Sequence, residues 1–82
     1  MSKRIRVFHK YSDPGHGWLK VPIKDCSRYG IAASSYSYSR GAYAFLEEDC
    51  DMSAFLAVLR NSNVQFKIIE HWTNKQSKIR SY

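Results

Sequence analysis

The chain has few of the residues that mark specialised classes of protein. Its two cysteines, Cys26 and Cys50, form neither a Cys-x-x-Cys pair nor the Cys/His spacing of a zinc finger, and we expect both to be reduced and packed. No apolar run approaches the ~20 residues that a membrane span needs. Residues 1–10 alternate charged and apolar side chains and lack the apolar block of a secretory signal. We therefore expect no membrane contact.

The length leaves room for one small core. The 82 residues are 44% hydrophobic and 24% charged, which is typical of globular domains. A chain of this size buries roughly 63% of its unfolded surface, so a multi-domain enzyme and a doubly wound nucleotide-binding fold are excluded. We expect no enzymatic activity, no catalytic residue and no cofactor.

The net charge of +6 is concentrated at the two ends of the chain. Residues 1–10 carry +4 and residues 74–82 carry +3, whereas residues 11–73 carry −1. We therefore predict a domain over residues 1–73 followed by a basic tail over residues 74–82. This distribution favours a peripheral electrostatic contact over a basic binding groove.

Local patterns in the first part of the chain predict one strand and one helix. Apolar residues alternate over Arg4–Tyr11, which is typical of a strand, and Ser12–Gly17 is rich in turn residues. Trp18–Val21 is apolar and could form a short extended piece. Pro22 is suited to open a short helix, and Gly30 is suited to end it.

The second part predicts a hairpin, a helix and a final strand. Residues 31–39 and 43–47 form the hairpin around the turn at Arg40-Gly41. Asp51 is the expected N-cap of the second helix, whose apolar stripe has the spacing i, i+3, i+4 and i+7: Met52, Phe55, Leu56 and Leu59. Residues 64–72 form the last strand. The resulting β-α-β-β-α-β order predicts an α+β fold of ferredoxin-like topology, with a central first strand, both helices on one face and one open antiparallel sheet face.

This open face is the first candidate binding surface. If Ile5, Val7, Ala44, Leu46, Phe66 and Ile68 point to the helices, the residues between them point away: Arg6, Phe8, Lys10, Tyr43, Phe45, Lys67, Ile69 and His71. Aromatic and cationic side chains on a sheet suit a protein partner or a single strand of RNA or DNA. A nucleic acid would stack its bases on Phe8, Tyr43 and Phe45 and place its phosphates on Arg6, Lys10 and Lys67. The face could also be covered by the C-terminal tail or by a second copy of the chain.

One segment that includes Tyr43 and Phe45 of this face is similar to a nucleic-acid-binding motif. Ser39–Leu46 reads SRGAYAFL and resembles the third-strand motif of RNA recognition motif domains, with Ala42 as a one-residue insertion. Cys26–Ile31 resembles the end of the first helix of that family. Arg6 stands where the family places an aromatic residue, unless Phe8 replaces it.

The loop before Trp18 is the second candidate. Asp13, His16 and Trp18 belong to a turn with two glycines and a proline, which could present His16 to a partner or simply hold a rigid turn. His9, Asp13 and His16 are spaced so that they could ligate a metal, a weaker interpretation that would make the protein a metal-dependent hydrolase.

An acidic cluster begins at the end of the hairpin and consists of Glu47, Glu48, Asp49 and Asp51. Helix capping and solvation account for this cluster, and we assign it no function.

Short motifs are distributed along nearly the whole chain. They are DPGHGWL at 13–19, SSYSY at 34–38 followed by Arg40-Gly41, LEEDCD at 46–51, and the segments 73–75 and 79–82. As a set they resemble a group of small uncharacterised proteins encoded by tailed bacteriophages. The resemblance implies an accessory protein of the host-takeover or anti-defence type, which binds a macromolecule in the cytoplasm of the infected bacterium. We expect this macromolecule to be a host protein. A homodimer through an exposed sheet edge is also possible.

Overall fold

The computed structural model describes residues 5–31, 38–75 and 79. Within them the chain forms an α+β fold with one open mixed sheet of five strands and two helices. The elements follow one another as β1 (Arg6–Ser12), β2 (Gly17–Pro22), α1 (Ile23–Arg28), β3 (Tyr38–Arg40), β4 (Tyr43–Glu47), α2 (Asp51–Asn61) and β5 (Phe66–Trp72). Neither helix in these ranges is long and apolar enough to cross a membrane.

The sheet contains one strand more than the sequence pattern predicted. The strand order is β3-β4-β2-β1-β5, so the short apolar piece at Trp18–Val21 lies in a full strand, β2, at the middle of the sheet. Strand β2 pairs antiparallel with β1 on one side and with β4 on the other. Strand β5 pairs parallel with β1, with Arg6 opposite Phe66 and Ser12 opposite Trp72. The observed β-β-α-β-β-α-β order therefore differs from the predicted βαββαβ order.

The core lies between the sheet and the two helices. The ring of Phe8 meets the ring of Phe55 edge to face, with centroids 5.4 Å apart. The other buried members come from the middle strands and from the inner faces of α1 and α2: Leu19, Val21, Cys26, Ala44, Leu46, Leu56 and Leu59. Burial of these apolar side chains is the main force that holds the helices on this face.

Both helices follow the predicted patterns, with small differences at their starts. Pro22 precedes α1, and Gly30 follows it with φ of +68°, a conformation that glycine adopts without strain. Helix α2 begins at Asp51, so its N-cap is Cys50 and not Asp51 as predicted. The apolar stripe is confirmed, since Phe55, Leu56 and Leu59 are buried and Met52 packs against the core. Of the two cysteines predicted to be packed, Cys26 is buried but Cys50 is exposed.

The predicted orientation of β1 is wrong by one residue. Phe8 is 2% exposed and packs in the helix-side core, whereas Ile5 and Val7, which were predicted to be buried there, are 58% and 44% exposed. Arg6 forms an ion pair with Asp25 of α1, so it also lies on the helix side. Alternation along the strand places Lys10 on that side as well. Arg6, Phe8 and Lys10 are therefore not on the open face.

The β3–β4 hairpin closes at the predicted turn. Arg40 pairs with Tyr43, which leaves Gly41 and Ala42 as a two-residue loop. Gly41 has φ of +60° at the first loop position, where type II′ turns require glycine. The predicted start of this hairpin at residues 32–37 lies outside the described residues.

Candidate functional site

The open face of the sheet, turned away from α1 and α2, is defined by strand register. Residues that pair across strands share a face, so one starting residue fixes the rest. His9 pairs with Lys20 and Ile69, and Lys20 pairs with Phe45. The full set in the paired strands is Val7, His9, Tyr11, Trp18, Lys20, Pro22, Tyr38, Arg40, Tyr43, Phe45, Glu47, Lys67, Ile69 and His71.

One half of the open face is covered. Trp18, Phe45 and Ile79 form a second buried cluster, and Tyr11 and Tyr38 pack against it. Ile79 belongs to the segment predicted as a basic tail, yet its side chain is 3% exposed. The ring of Phe45, one of the predicted stacking residues, is therefore buried beneath a residue from the end of the chain.

The other half of the open face is exposed and largely apolar. It comprises five neighbouring residues, one just before β1 and the others on β1 and β5, which we call the β1–β5 strip: Ile5, Val7, Lys67, Ile69 and His71. Val7 and Ile69 are 44% and 40% exposed, which is high for aliphatic side chains on a sheet. Lys67 supplies a positive charge to the strip and lies opposite Val7 in the strand register. Strand β5 is also an edge strand, and no described strand pairs with its outer side.

Two further rings, those of His9 and Tyr11, lie beside His71 of this strip. Nδ1 of His9 lies 2.9 Å from Nε2 of His71. The ring of Tyr11 stacks on His71 with centroids 4.7 Å apart and planes 13° apart, and it also stacks on His9. Parallel pairing of β1 with β5 places Tyr11 directly opposite His71. His71 was predicted to be on this face, whereas the position of His9 beside it depends on the register of two strands that are distant in sequence.

The predicted cations of β1 are engaged on the helix side. The Arg6 guanidinium pairs with the buried carboxylate of Asp25 and lies 5.1 Å from the centroid of Phe8. Nζ of Lys10 lies 2.9 Å from Glu48 and 3.6 Å from Glu70. The hydrogen bond to the Glu48 carboxylate raises the pKa of Lys10 above its ordinary value. These two cations thus stabilise the packing of α1 and of the β4–α2 connection, and they are not presented to a ligand.

Tyr43 is the predicted stacking residue that stays accessible. Its ring is exposed, and the Lys20 ammonium lies 4.2 Å from the ring centroid. The RNA recognition motif resemblance thus places one exposed aromatic residue on the face, beside a cation. Its two companions are inaccessible, since Phe8 lies in the core and Phe45 lies beneath Ile79.

The Asp13–Trp18 loop is held by its own hydrogen bonds. Oδ1 of Asp13 accepts bonds from the backbone N–H groups of Gly15 and His16, both at 2.9 Å. Such bonds are ordinary turn chemistry for aspartate. Nδ1 of His16 lies 3.4 Å from Oε1 of Glu47, and its ring is exposed beside the buried Trp18. Of the three predicted contact residues in this loop, His16 is thus the accessible one.

The acidic cluster is divided among separate structural tasks. Glu47 is buried, and its Oε2 accepts a bond from the Asp49 backbone N–H. Glu48 pairs with Lys10, and Asp51 is buried in the first turn of α2, where a carboxylate is favoured by the helix dipole. These contacts agree with the structural interpretation of the cluster.

A shallow cleft of about 410 Å³ lies between the loop and the ends of β1 and β5. Its walls include His16, His71, Glu48, Glu70 and Trp72. His9, Asp13 and His16 do not converge on one point, because His9 meets His71 and the Asp13 carboxylate bonds the loop backbone. In the part of the chain that the structure describes, no three His, Cys, Asp or Glu side chains are grouped to hold a metal.

Sequence reasoning missed Val7 and His9 as members of the open face. Val7 and Phe8 of β1 are adjacent and both apolar, so the sequence did not indicate which of them faces the core. Comparison with known proteins adds no further assignment, because no family model, no curated protein and no solved structure matches the chain.

Proposed function

We propose that the protein is a non-enzymatic accessory protein of a bacteriophage, which binds a protein of the infected host in the cytoplasm. The observation that carries the proposal is the exposed apolar β1–β5 strip beside an edge strand. Solvent-exposed aliphatic residues next to a free sheet edge are a typical docking surface for an extended segment of a partner. The sequence resemblance to small phage proteins supports a host protein as the partner.

The chemistry of the strip defines the partner segment. A strand added to β5 would place its side chains next to Lys67, Ile69 and His71, which alternate along that edge. An apolar side chain opposite Ile69 would bury the exposed Ile69 surface. An acidic side chain opposite Lys67 would pair with the cation. We therefore expect the partner to contribute an extended segment with an acidic and an apolar residue two positions apart, so that both lie on the face of Lys67 and Ile69.

Binding of single-stranded nucleic acid is less well supported by this arrangement. A stacking platform needs several accessible rings on one face. Tyr43 is accessible, but Phe8 and Phe45 are buried. Of the three cations predicted to meet phosphates, Arg6 and Lys10 are engaged with Asp25 and Glu48, and Lys67 is exposed.

The test is capture of partners from host lysate by the immobilised protein, with and without nuclease. Ile69→Lys places a charge in the strip and should abolish capture of a stoichiometric protein partner. Ile23→Lys is the matched control, since Ile23 lies on α1 and is 39% exposed, close to the 40% of Ile69. The control should retain the partner.

Three outcomes would contradict the proposal. Capture that nuclease removes would indicate nucleic acid. Equal capture by both variants would place the contact elsewhere. A concentration-dependent dimer that Ile69→Lys disrupts, with no host partner, would identify a second copy of the chain as the occupant of the strip.

We also propose that the fold is a ferredoxin-like βαββαβ unit formed by β2 to β5, with β1 inserted into its sheet. The order β3-β4-β2 followed by β5 is that of the ferredoxin-like sheet once β1 is removed. Strand β1 is antiparallel to β2 and parallel to β5, so β5 keeps the direction that this topology requires. A solution structure with α1 and α2 on opposite faces of the sheet would contradict this proposal.

A further inference from the structure

The His9–His71 pair has a geometry beyond what a protein-binding surface requires. Its two ring nitrogens, Nδ1 of His9 and Nε2 of His71, are 2.9 Å apart. The ring centroids are 5.1 Å apart and the planes are tilted by 31°. Both positions are fixed by backbone pairing, since Tyr11 lies opposite His71 in the parallel register and His9 is two residues earlier on the same face. The Tyr11 ring stacks on one side of the His71 imidazole, whose other surface is exposed.

The nitrogen separation matches the distance between neighbouring ligands of one metal ion. Imidazole nitrogens bind divalent transition metals at ~2.0–2.1 Å, so two of them at a right angle are ~2.9 Å apart. Right angles are typical of the square-planar and tetragonal sites of Cu²⁺ and Ni²⁺. A tetrahedral ion such as Zn²⁺ would hold the same nitrogens ~3.3 Å apart.

We propose that His9 and His71 form a two-ligand site for a divalent transition metal, with Cu²⁺ preferred over Ni²⁺ and Zn²⁺. Without metal, the two nitrogens share one hydrogen in an N–H···N bond. Metal binding replaces this bond, and a rotation of the exposed His71 ring directs both lone pairs at the ion. Water completes the coordination, because no third ligand is grouped with the pair among the described residues.

The charges around the pair permit such a site. Lys20 lies opposite His9 in the register, but its ammonium is directed onto the ring of Tyr43 at 4.2 Å. Val7 and Ile69 flank the pair with apolar surface. Glu70, the residue before His71, lies on the other face, near Lys10. The proposal does not depend on the protein partner, and either one can fail alone.

The test is calorimetric titration of the untagged full-length chain with CuCl₂, NiCl₂, ZnCl₂ and MgCl₂ near neutral pH. The chain contains three histidines, so His16→Gln is a matched control for His9→Gln and His71→Gln. We expect one Cu²⁺ per chain, bound more tightly than Ni²⁺ or Zn²⁺, and no Mg²⁺ binding. His9→Gln and His71→Gln should each weaken Cu²⁺ binding by about tenfold or more, since loss of a residue that only orients a metal ligand already lowers metal affinity by about tenfold. His16→Gln should leave the affinity unchanged.

A second readout separates metal binding from folding. Histidine ring resonances in NMR spectra should shift or broaden for His9 and His71 when Cu²⁺ is added, and those of His16 should not. Acidification should release the ion because protons compete for the same nitrogens. Equal Cu²⁺ affinity in all three variants, loss of binding in His16→Gln alone, or Mg²⁺ binding as tight as that of Cu²⁺ would overturn the proposal.

Discussion

The orientation of β1 can be tested by two neighbouring substitutions. Phe8 lies in the core against Phe55 and is 2% exposed, whereas Val7 is on the open face and is 44% exposed. Phe8→Leu removes the edge-to-face ring pair and leaves a small void. Val7→Thr keeps the shape of the side chain and adds a hydroxyl that water can solvate. The orientation predicted from the sequence reverses this order, because it places Val7 in the core and Phe8 on the surface.

The expected magnitudes differ clearly. Loss of a buried aromatic pair contributes about 0.5–1.5 kcal/mol beyond the buried area, so Phe8→Leu should lower the free energy of unfolding by about 2 kcal/mol. An exposed substitution away from special features changes it by about 0.5 kcal/mol or less. Because 1 kcal/mol corresponds to about 4–8 °C in Tm for a domain of this size, Phe8→Leu should lower Tm by about 8–16 °C.

Urea denaturation followed by tryptophan fluorescence measures both variants, and Trp18 is buried and suited as a probe. Equal m-values would show that the two variants expose the same surface on unfolding. A Val7→Thr variant that is destabilised as much as Phe8→Leu, or more, would refute the orientation of β1 and with it the membership of the β1–β5 strip.

Three further results are expected. The hydrogen bond to Glu48 raises the pKa of Lys10, so the pair stabilises the fold below pH 10.5, and this stabilisation is lost as the pH rises through the raised pKa. Lys10→Gln should lower the free energy of unfolding by about 1 kcal/mol near neutral pH. In urea titrations at alkaline pH, the variant should lose less stability than the unchanged protein. Gly17→Ala should lower the free energy of unfolding by about 1 kcal/mol, because the new Cβ would lie 2.8 Å from Glu48 Oε2 and 2.9 Å from Ser12 Oγ, and both side chains must move aside. An unchanged urea midpoint would contradict this close approach. Cys50 should react with a thiol reagent in the folded protein, and Cys26 should react only on unfolding. Burial raises the pKa of Cys26 and keeps the reagent away from its sulfur. Equal reaction rates of the two cysteines in a mass-spectrometric time course would show that Cys26 is not buried.

The sequence predicted the elements in which one periodicity dominates. Helix α2 has a clear apolar stripe, and β4 and β5 alternate so that Ala44, Leu46 and Ile68 face the core as predicted. Strand β2 was predicted only as a short extended piece because Trp18, Leu19 and Val21 are all buried, with Trp18 on one face and the others on the opposite face. A strand buried on both faces does not alternate, so its pattern is ambiguous.

The candidate site was harder to predict because it depends on the register of distant strands. In β1, Val7 and Phe8 are both apolar, and a shift of one residue moves every side chain to the other face. Arg6 looks like a surface residue in sequence, but its partner Asp25 lies on α1 and satisfies its charge on the helix side. The His9–His71 contact likewise follows from β1–β5 pairing, which local patterns do not reveal.

The parallel pairing of β1 with β5 has a consequence for how the chain folds. Arg6 is paired with Phe66, sixty positions further along the chain, and the ladder continues to Ser12 and Trp72. Closing so long a loop costs chain entropy before any pairing is gained, and such non-local contacts slow folding. The β1–β2 hairpin and the β2–β4 pair can form earlier because they join closer segments. We expect β5 to dock late, so that mutations in β5 mainly speed unfolding, and a nascent chain leaves one side of β1 unpaired until its last strand has been made.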